Sequence, residues 1–322
     1  MSVSLDSFPL RPLGLGEIFD RAVTLHVRNF VAFSIIALFL VVPVSVGGYF
    51  VTANFSGVYS QAIYQMEHPA KAAHAKPPIG IGEALRIDEV AGLQMLLLGL
   101  LGPFATVAIA FGVARRYAGQ RIDWRSAYLA ALRRWPAVLA IVVVEACSVS
   151  GAGFMGVIAI AVLAVIGVLV LKASAVLGVA VIVLSVLLYL ALIGLILMLL
   201  VAVAFMFYAV AVEDAGIGEA IVSGFARIFN RSEFWRAVLV CLALFAVQLG
   251  IAIVALGFFG LFEFVMHSAL LYAFAEGALQ LLETTFVTIL LAVYYFDVRV
   301  RREGLDLEAS LERLANVPAP SA

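Results

Sequence analysis

Residues 173–212 read ASAVLGVAVIVLSVLLYLALIGLILMLLVAVAFMFYAVAV, and no charged side chain occurs between Lys172 and Glu213. A water-soluble fold cannot cover so much apolar surface, whereas a helix needs only about 20 apolar residues to cross a hydrocarbon core about 30 Å thick. The rest of the chain agrees. Charged residues are 13% of its 322, against roughly a quarter in soluble domains, and hydrophobic residues are 65%, with a mean hydropathy of +1.13. The sequence therefore predicts an all-α, polytopic integral membrane protein.

Outward from that stretch, apolar runs place six spans at about 30–50, 93–113, 137–170, 175–211, 237–260 and 279–296. The region 136–212 divides best into two long helices, since four short ones would leave hardly any residues for turns. Both exceed what a bilayer requires and must tilt, bend or project beyond it. Residues 54–90, with Glu67, His68, Lys71 and His74, read as the longest loop, and 262–283 as a partly helical interfacial segment. No polar stretch reaches the roughly 50 residues of a soluble domain. Residues 1–298 form one transmembrane domain, and 299–322 a cytoplasmic tail. The mixed residues before the first apolar run lack a signal-peptide pattern, so the first span is expected to act as an uncleaved insertion signal.

Charge asymmetry sets the sidedness. Arg11, Arg21 and Arg28 precede span one. Arg115, Arg116, Arg121, Arg125, Arg133 and Arg134 separate spans two and three. Arg227, Arg231 and Arg236 separate spans four and five, and Arg299, Arg301, Arg302 and Arg313 follow span six. The positive-inside rule then puts both termini in the cytoplasm. A net charge of −1 gives no basis for nucleic-acid binding. Cys147 and Cys241 lie apart in apolar runs and read as buried small hydrophobes.

Three segments beside these arginines read as amphipathic interfacial helices, at about 14–28, 122–134 and 216–230. The first begins GLGEIFDRAVTLHVRNF at Gly14 and the third GIGEAIVSGFARIFNRS at Gly216. In the second, Trp124, Ala127, Arg133 and Trp135 match Phe19, Ala22, Arg28 and Phe30. Each precedes an apolar hairpin, which suggests three copies of one unit in the same orientation. The competing reading is convergence, since any interfacial helix before a span tends toward this pattern. Glu17 and Glu219 would sit in a first helical turn, where a carboxylate favours the dipole. No Lys-Ser/Thr follows the Gly-x-Gly, which excludes a nucleotide-binding loop.

The opening RPLGLGEIFDRAVTLHVRNF at Arg11 and the closing run Tyr295, Phe296, Asp297, Val298, Arg299, Val300, Arg301 resemble the two ends of the glycerophosphoryl diester phosphodiesterase membrane domain family of bacterial integral membrane proteins. That resemblance implies a membrane fold and a place in the bacterial inner membrane. It does not imply the hydrolase activity, because a catalytic barrel of roughly 250 residues would have to follow, and 25 residues come after Asp297.

Among candidate functional residues, Glu145 is the one charge inside a run that should cross the bilayer, a functional site by default. The bland alternative puts it near the headgroups at the start of a long helix. Arg133, Arg134, Arg227 and Arg231 are the best candidates for lipid headgroups. Asp297, Arg299 and Arg301 end the last span. They either form a docking face for a partner, or the two arginines cap Glu17 or Glu219. Glu263, His267, Glu276 and Glu283 form a weak outer-side cluster without a metal-site spacing. The sequence carries no nucleophile–base–acid set, metal cluster or cofactor motif. The leading expectation is a non-enzymatic scaffold or accessory subunit of a membrane complex, with membrane lipids and a protein as partners and no cofactor. A transporter or lipid-handling protein, and an enzyme acting on lipid headgroups, are the alternatives.

Overall fold

In the computed structural model, the described residues are 11–67, 81–266 and 269–304, and all their regular structure is helical. An interfacial helix α1 (Leu15–Arg28) leads into the hairpin α2 (Phe30–Glu67) and α3 (Ile81–Tyr117). A second unit comprises α4 (Trp124–Arg133), α5 (Trp135–Ala173) and α6 (Ala175–Val212). The third comprises α7 (Ile217–Ile228), α8 (Phe234–Met266) and α9 (Ala269–Glu303). Six of these helices are long and apolar enough to span a membrane. The chain is a polytopic membrane protein.

Local chemistry explains the breaks. The Glu17 carboxylate accepts the Gly14 N–H at 2.7 Å, and Glu219 accepts that of Gly216 at 3.2 Å, so the two Gly-x-Gly-Glu segments start their helices in the same way. Asp123 starts α4 by accepting the N–H groups of Arg125 and Ser126. These donated hydrogen bonds hold the Glu17 and Asp123 carboxyls below the usual carboxylate range. The donors responsible are the Gly14 N–H and then Arg11 for Glu17, and the Ser126 N–H for Asp123. Between α5 and α6 the chain turns at Ser174, whose hydroxyl caps the Leu177 N–H. One residue suffices for that turn, and 136–212 forms two long helices. Pro43 and Pro103 lie within α2 and α3; a membrane helix tolerates proline where neighbours satisfy the freed groups.

Two sequence expectations need correction. Residues 54–67 and 81–90, read as loop, are helical and extend the first hairpin past its apolar part. Polar composition resembles a loop, but it equally suits a helix standing in water. Residues 262–266 are likewise the end of α8 and 269–283 the start of α9 rather than a separate interfacial element. The remainder of the expected loop, 68–80, lies outside the described residues.

The packing is cyclic. Each interfacial helix docks on the second spanning helix of the preceding unit: α4 on α3, α7 on α6, and α1, closing the circle, on α9. The same three helices α3, α6 and α9 pack on one another, while α2, α5 and α8 lie outside them. Within each unit the inner helix is the more buried of the two, from 22% against 11% in the α6–α5 pair to 61% against 22% in the α9–α8 pair. Three like units in one orientation produce such a circle without any inverted repeat. The core lies at the interfacial-helix end, where Ile18, Ala22 and Leu25 of α1, Ala127 and Ala131 of α4, and Ala220 and Ile228 of α7 meet Phe205, Tyr208, Tyr294 and Tyr295. Gly224 lets α7 approach α6 closely. A Cβ there would lie 2.8 Å from the Ala202 carbonyl oxygen and 2.5 Å from Met206 Cγ.

Candidate functional site

Two buried ionic assemblies tie the interfacial helices to the end of α9. In the first, Asp297 is 1% exposed. Its carboxylate accepts the Leu13 N–H at 2.6 Å and Arg236 Nη2 at 2.7 Å, with Arg301 Nε at 3.2 Å one turn along. Arg236 and Arg301 also donate to the Leu13 carbonyl, at 2.5 and 2.7 Å. One carboxylate and the Leu13 carbonyl thus engage two guanidinium groups, with Arg236 Nε left buried without an acceptor, and the segment before α1 is held from both sides.

In the second assembly, Arg227 is 6% exposed. It donates to Glu303 Oε1 at 2.6 Å, to Glu213 Oε2 at 3.1 Å and to the Tyr295 hydroxyl at 2.9 Å. Arg299 faces Glu213 at 3.1 Å and Glu303 at 2.7 Å. The Tyr295 hydroxyl closes the ring by donating to Glu213. Two cations balance two anions, so the pairs offset much of each other's desolvation. Joining α6, α7 and α9, this assembly is a structural joint.

These contacts decide where the expected residues stand. Arg227 is turned inward rather than toward lipid. Arg134 pairs with Asp214 at 2.8 Å, while Arg133 and Arg231 are exposed. Arg299 and Arg301 cap Glu213, Glu303 and Asp297, not Glu17 or Glu219, whose carboxylates serve their own helix starts. On the opposite side, Glu283 accepts Gln248 Nε2 at 2.5 Å and Glu276 is half-buried. The Glu263 side chain and His267 lie outside the described residues. Among the described residues no group of three His, Cys, Asp or Glu is placed to hold a metal.

Glu145 borders a cavity of about 460 Å³ between α2, α3, α5, α6 and α9, with Thr106, Thr284, Gly99 and Gly102 among its walls. It lies ten residues into α5, about 15 Å along the helix from Trp135. The structure also brings forward groups that no sequence pattern singles out. Arg236, Glu213 and Glu303 join the assemblies above. Arg28, Arg116 and Arg121 meet at a separate cavity.

His26 of α1 is another. Its ring is edge-on to Phe30 and Phe286, and Nδ1 is buried without a partner. Burial holds its pKa below the ordinary value. The folded protein thus refuses a proton that the unfolded chain accepts below about pH 6.5. Stability is fully present above that value and declines as pH falls toward the lower folded pKa. The melting temperature is expected to drop between about pH 7 and pH 5.5, and H26F to lessen the drop. An equal drop in both proteins would remove His26 from the account.

No protein-family model, curated protein or solved structure matches this chain. The functional reading therefore rests on the geometry above.

Proposed function

We propose that the protein is a non-enzymatic scaffold, an accessory subunit of a membrane complex, and that the α5–α6 hairpin is the face it presents within the bilayer. The observation behind this is the hairpin's length combined with its composition. At 1.5 Å per residue the 38 residues of α6 extend about 57 Å. Confining them to a 30 Å core needs a tilt of about 58°, outside the 0–40° found for membrane helices. The first hairpin has the same excess length, but its far part is polar and can stand in water. The far part of α5–α6 is Val, Leu and Ile, with Phe154, Val165, Val176 and Leu187 exposed and little of the chain's own structure against them. The part of this face that a bilayer cannot cover calls for another apolar surface against it. The clustering of arginines at one end supports a bacterial inner-membrane location with both termini in the cytoplasm. The resemblance of the chain's two ends to the phosphodiesterase-associated membrane family fits the same placement.

The test is a photocrosslinking residue introduced in turn at Phe154, Val165 and Leu187, with Leu38 of α2 as a comparison site. The hairpin positions are expected to give one protein adduct of constant mass, which Leu38 does not give. Lipid adducts alone at all three hairpin positions would sink the proposal.

A second reading, a transporter or lipid-handling protein, is favoured by the cavity at Glu145. An intramembrane carboxylate beside two threonines can carry a proton or a cation. Under that reading Glu145→Gln abolishes the chain's function in cells while leaving the hairpin crosslinks intact. Under the scaffold reading, function follows the crosslinks.

A further inference from the structure

We infer that the first unit holds one anionic glycerophospholipid, with its phosphate on Arg28, Arg116 and Arg121 and one acyl chain along α2. This goes beyond the scaffold reading and does not depend on it. Two features meet here. The first is a cavity of about 430 Å³ between the α1–α2 turn, the end of α3 and the start of α4, into which all three arginines open, with Trp124 on its wall. Most arginines at this end of the bundle have partners: Arg11, Arg134, Arg227, Arg236, Arg299 and Arg301 are in ion pairs, and Arg115 bonds Ser126. Arg28, Arg116 and Arg121 have no hydrogen bond or ion pair among the described residues, and Arg116 Nε is buried without an acceptor. The carboxylate of neighbouring Asp123 is already engaged in capping α4. Three positive charges therefore share a cavity that no acid among the described residues pairs with.

The second feature is an apolar groove of about 590 Å³ between α2 and α9. Phe30 lines both the groove and the basic cavity. Between them, Val31, Ile35, Leu38, Val42 and Val46 succeed one another at three- or four-residue spacing, which makes a single stripe on one face of α2. Val31 and Ile35 belong to the basic cavity, and Leu38, Val42 and Val46 to the groove. From Val31 to Val46 the stripe covers about 22 Å, enough for a glycerol backbone and a chain crossing one leaflet of about 15 Å. On the far wall, Gly277 packs on Ser45 so closely that a Cβ would lie 2.5 Å from its hydroxyl. Charge complementarity at one end and continuity of the stripe with the groove select the occupant. A free anion would use the arginines and leave the groove unfilled, and a neutral lipid would leave the arginines unpaired. Trp124 on the cavity wall stacks on Phe39 of α2 at 5.8 Å.

The full chain is reconstituted into vesicles of equal parts phosphatidylethanolamine and phosphatidylglycerol, extracted, and weighed by native mass spectrometry. One phosphatidylglycerol is expected to remain bound. R28Q/R121Q, which alters only exposed side chains, should lower its affinity about thirtyfold. R133Q/R231Q removes the same charge from arginines outside the cavity and should leave retention unchanged. The chain position is read separately with V42W in vesicles carrying brominated acyl chains. Brominated phosphatidylglycerol should quench it more than brominated phosphatidylethanolamine, and this arm keeps all native arginines. Equal loss in the two double variants, equal quenching by the two lipids, or displacement of the lipid by inorganic phosphate alone would each overturn the inference. The last outcome would mark the cradle as a site for free anions.

Discussion

Replacing Asp297 with alanine is expected to destabilise the fold by about 3–5 kcal/mol, the scale seen when one partner of a buried ion pair is removed. Its carboxylate is the shared acceptor for Arg236, Arg301 and the Leu13 N–H. Without it, two guanidinium groups keep only the Leu13 carbonyl, and a buried N–H loses its acceptor. The damage should be local first. Leu13 leads into α1, which docks on α9, so α1 is expected to become accessible to trypsin before the spanning helices unfold. D297N retains an acceptor for one donor and should fall between alanine and the native protein. Thermal unfolding in detergent, with proteolysis followed at Arg21, measures both effects. A native melting temperature and an uncut α1 in D297A would show that the clasp does not hold the helix.

Arg227→Ala is expected to cost about 2–4 kcal/mol, less than a fully buried pair because Glu303 is about one-third exposed. Glu213 and Glu303 would then share Arg299 alone, and the Tyr295 hydroxyl would lose its donor. R227K preserves the charge but not the planar fork that reaches three acceptors at once, so it should recover only part of the loss. The decisive measurement is a double-mutant cycle with E303A. If the assembly acts as a unit, the double variant is less damaged than the sum of the singles. Strict additivity would mean that the joint is a set of independent surface pairs.

The reasons for these two predictions lie in parts of the structure that the sequence showed unevenly. The spans were legible because hydrophobic run length measures bilayer thickness directly. The interfacial helices were legible because arginines alternate with Ala and aromatic residues at helical spacing, as in 122–134. The far half of the first hairpin was not, since Glu83, Asp88 and Glu89 signal contact with water whether the backbone is helix or loop. The partners of Asp297 were hidden by distance along the chain, with Leu13 284 residues away and Arg236 61 away. Asp297 itself stood out at the end of the last span. Arg227 shows the opposite difficulty. On an amphipathic helix, an arginine facing lipid and one facing a buried carboxylate have the same sequence surroundings. Arg28, Arg116 and Arg121 were visible only as topology signals, because they converge through three separate turns of the chain.

The closure of the circle by α1 on α9 also imposes an order of events. α1 leaves the ribosome long before α9, on which it docks, and its clasp needs Asp297 and Arg301 from α9. During synthesis α4 and α7 find their seats already inserted behind them, whereas α1 must wait at the membrane surface until α9 arrives. Its apolar face, Ile18, Ala22 and Leu25, stays uncovered by the chain throughout that interval. The period between the first and last insertion is therefore when the nascent protein is most open to membrane chaperones and to quality-control proteases. A chain cut short before residue 297 would present the same uncovered helix permanently, which makes α1 a built-in signal of an unfinished molecule.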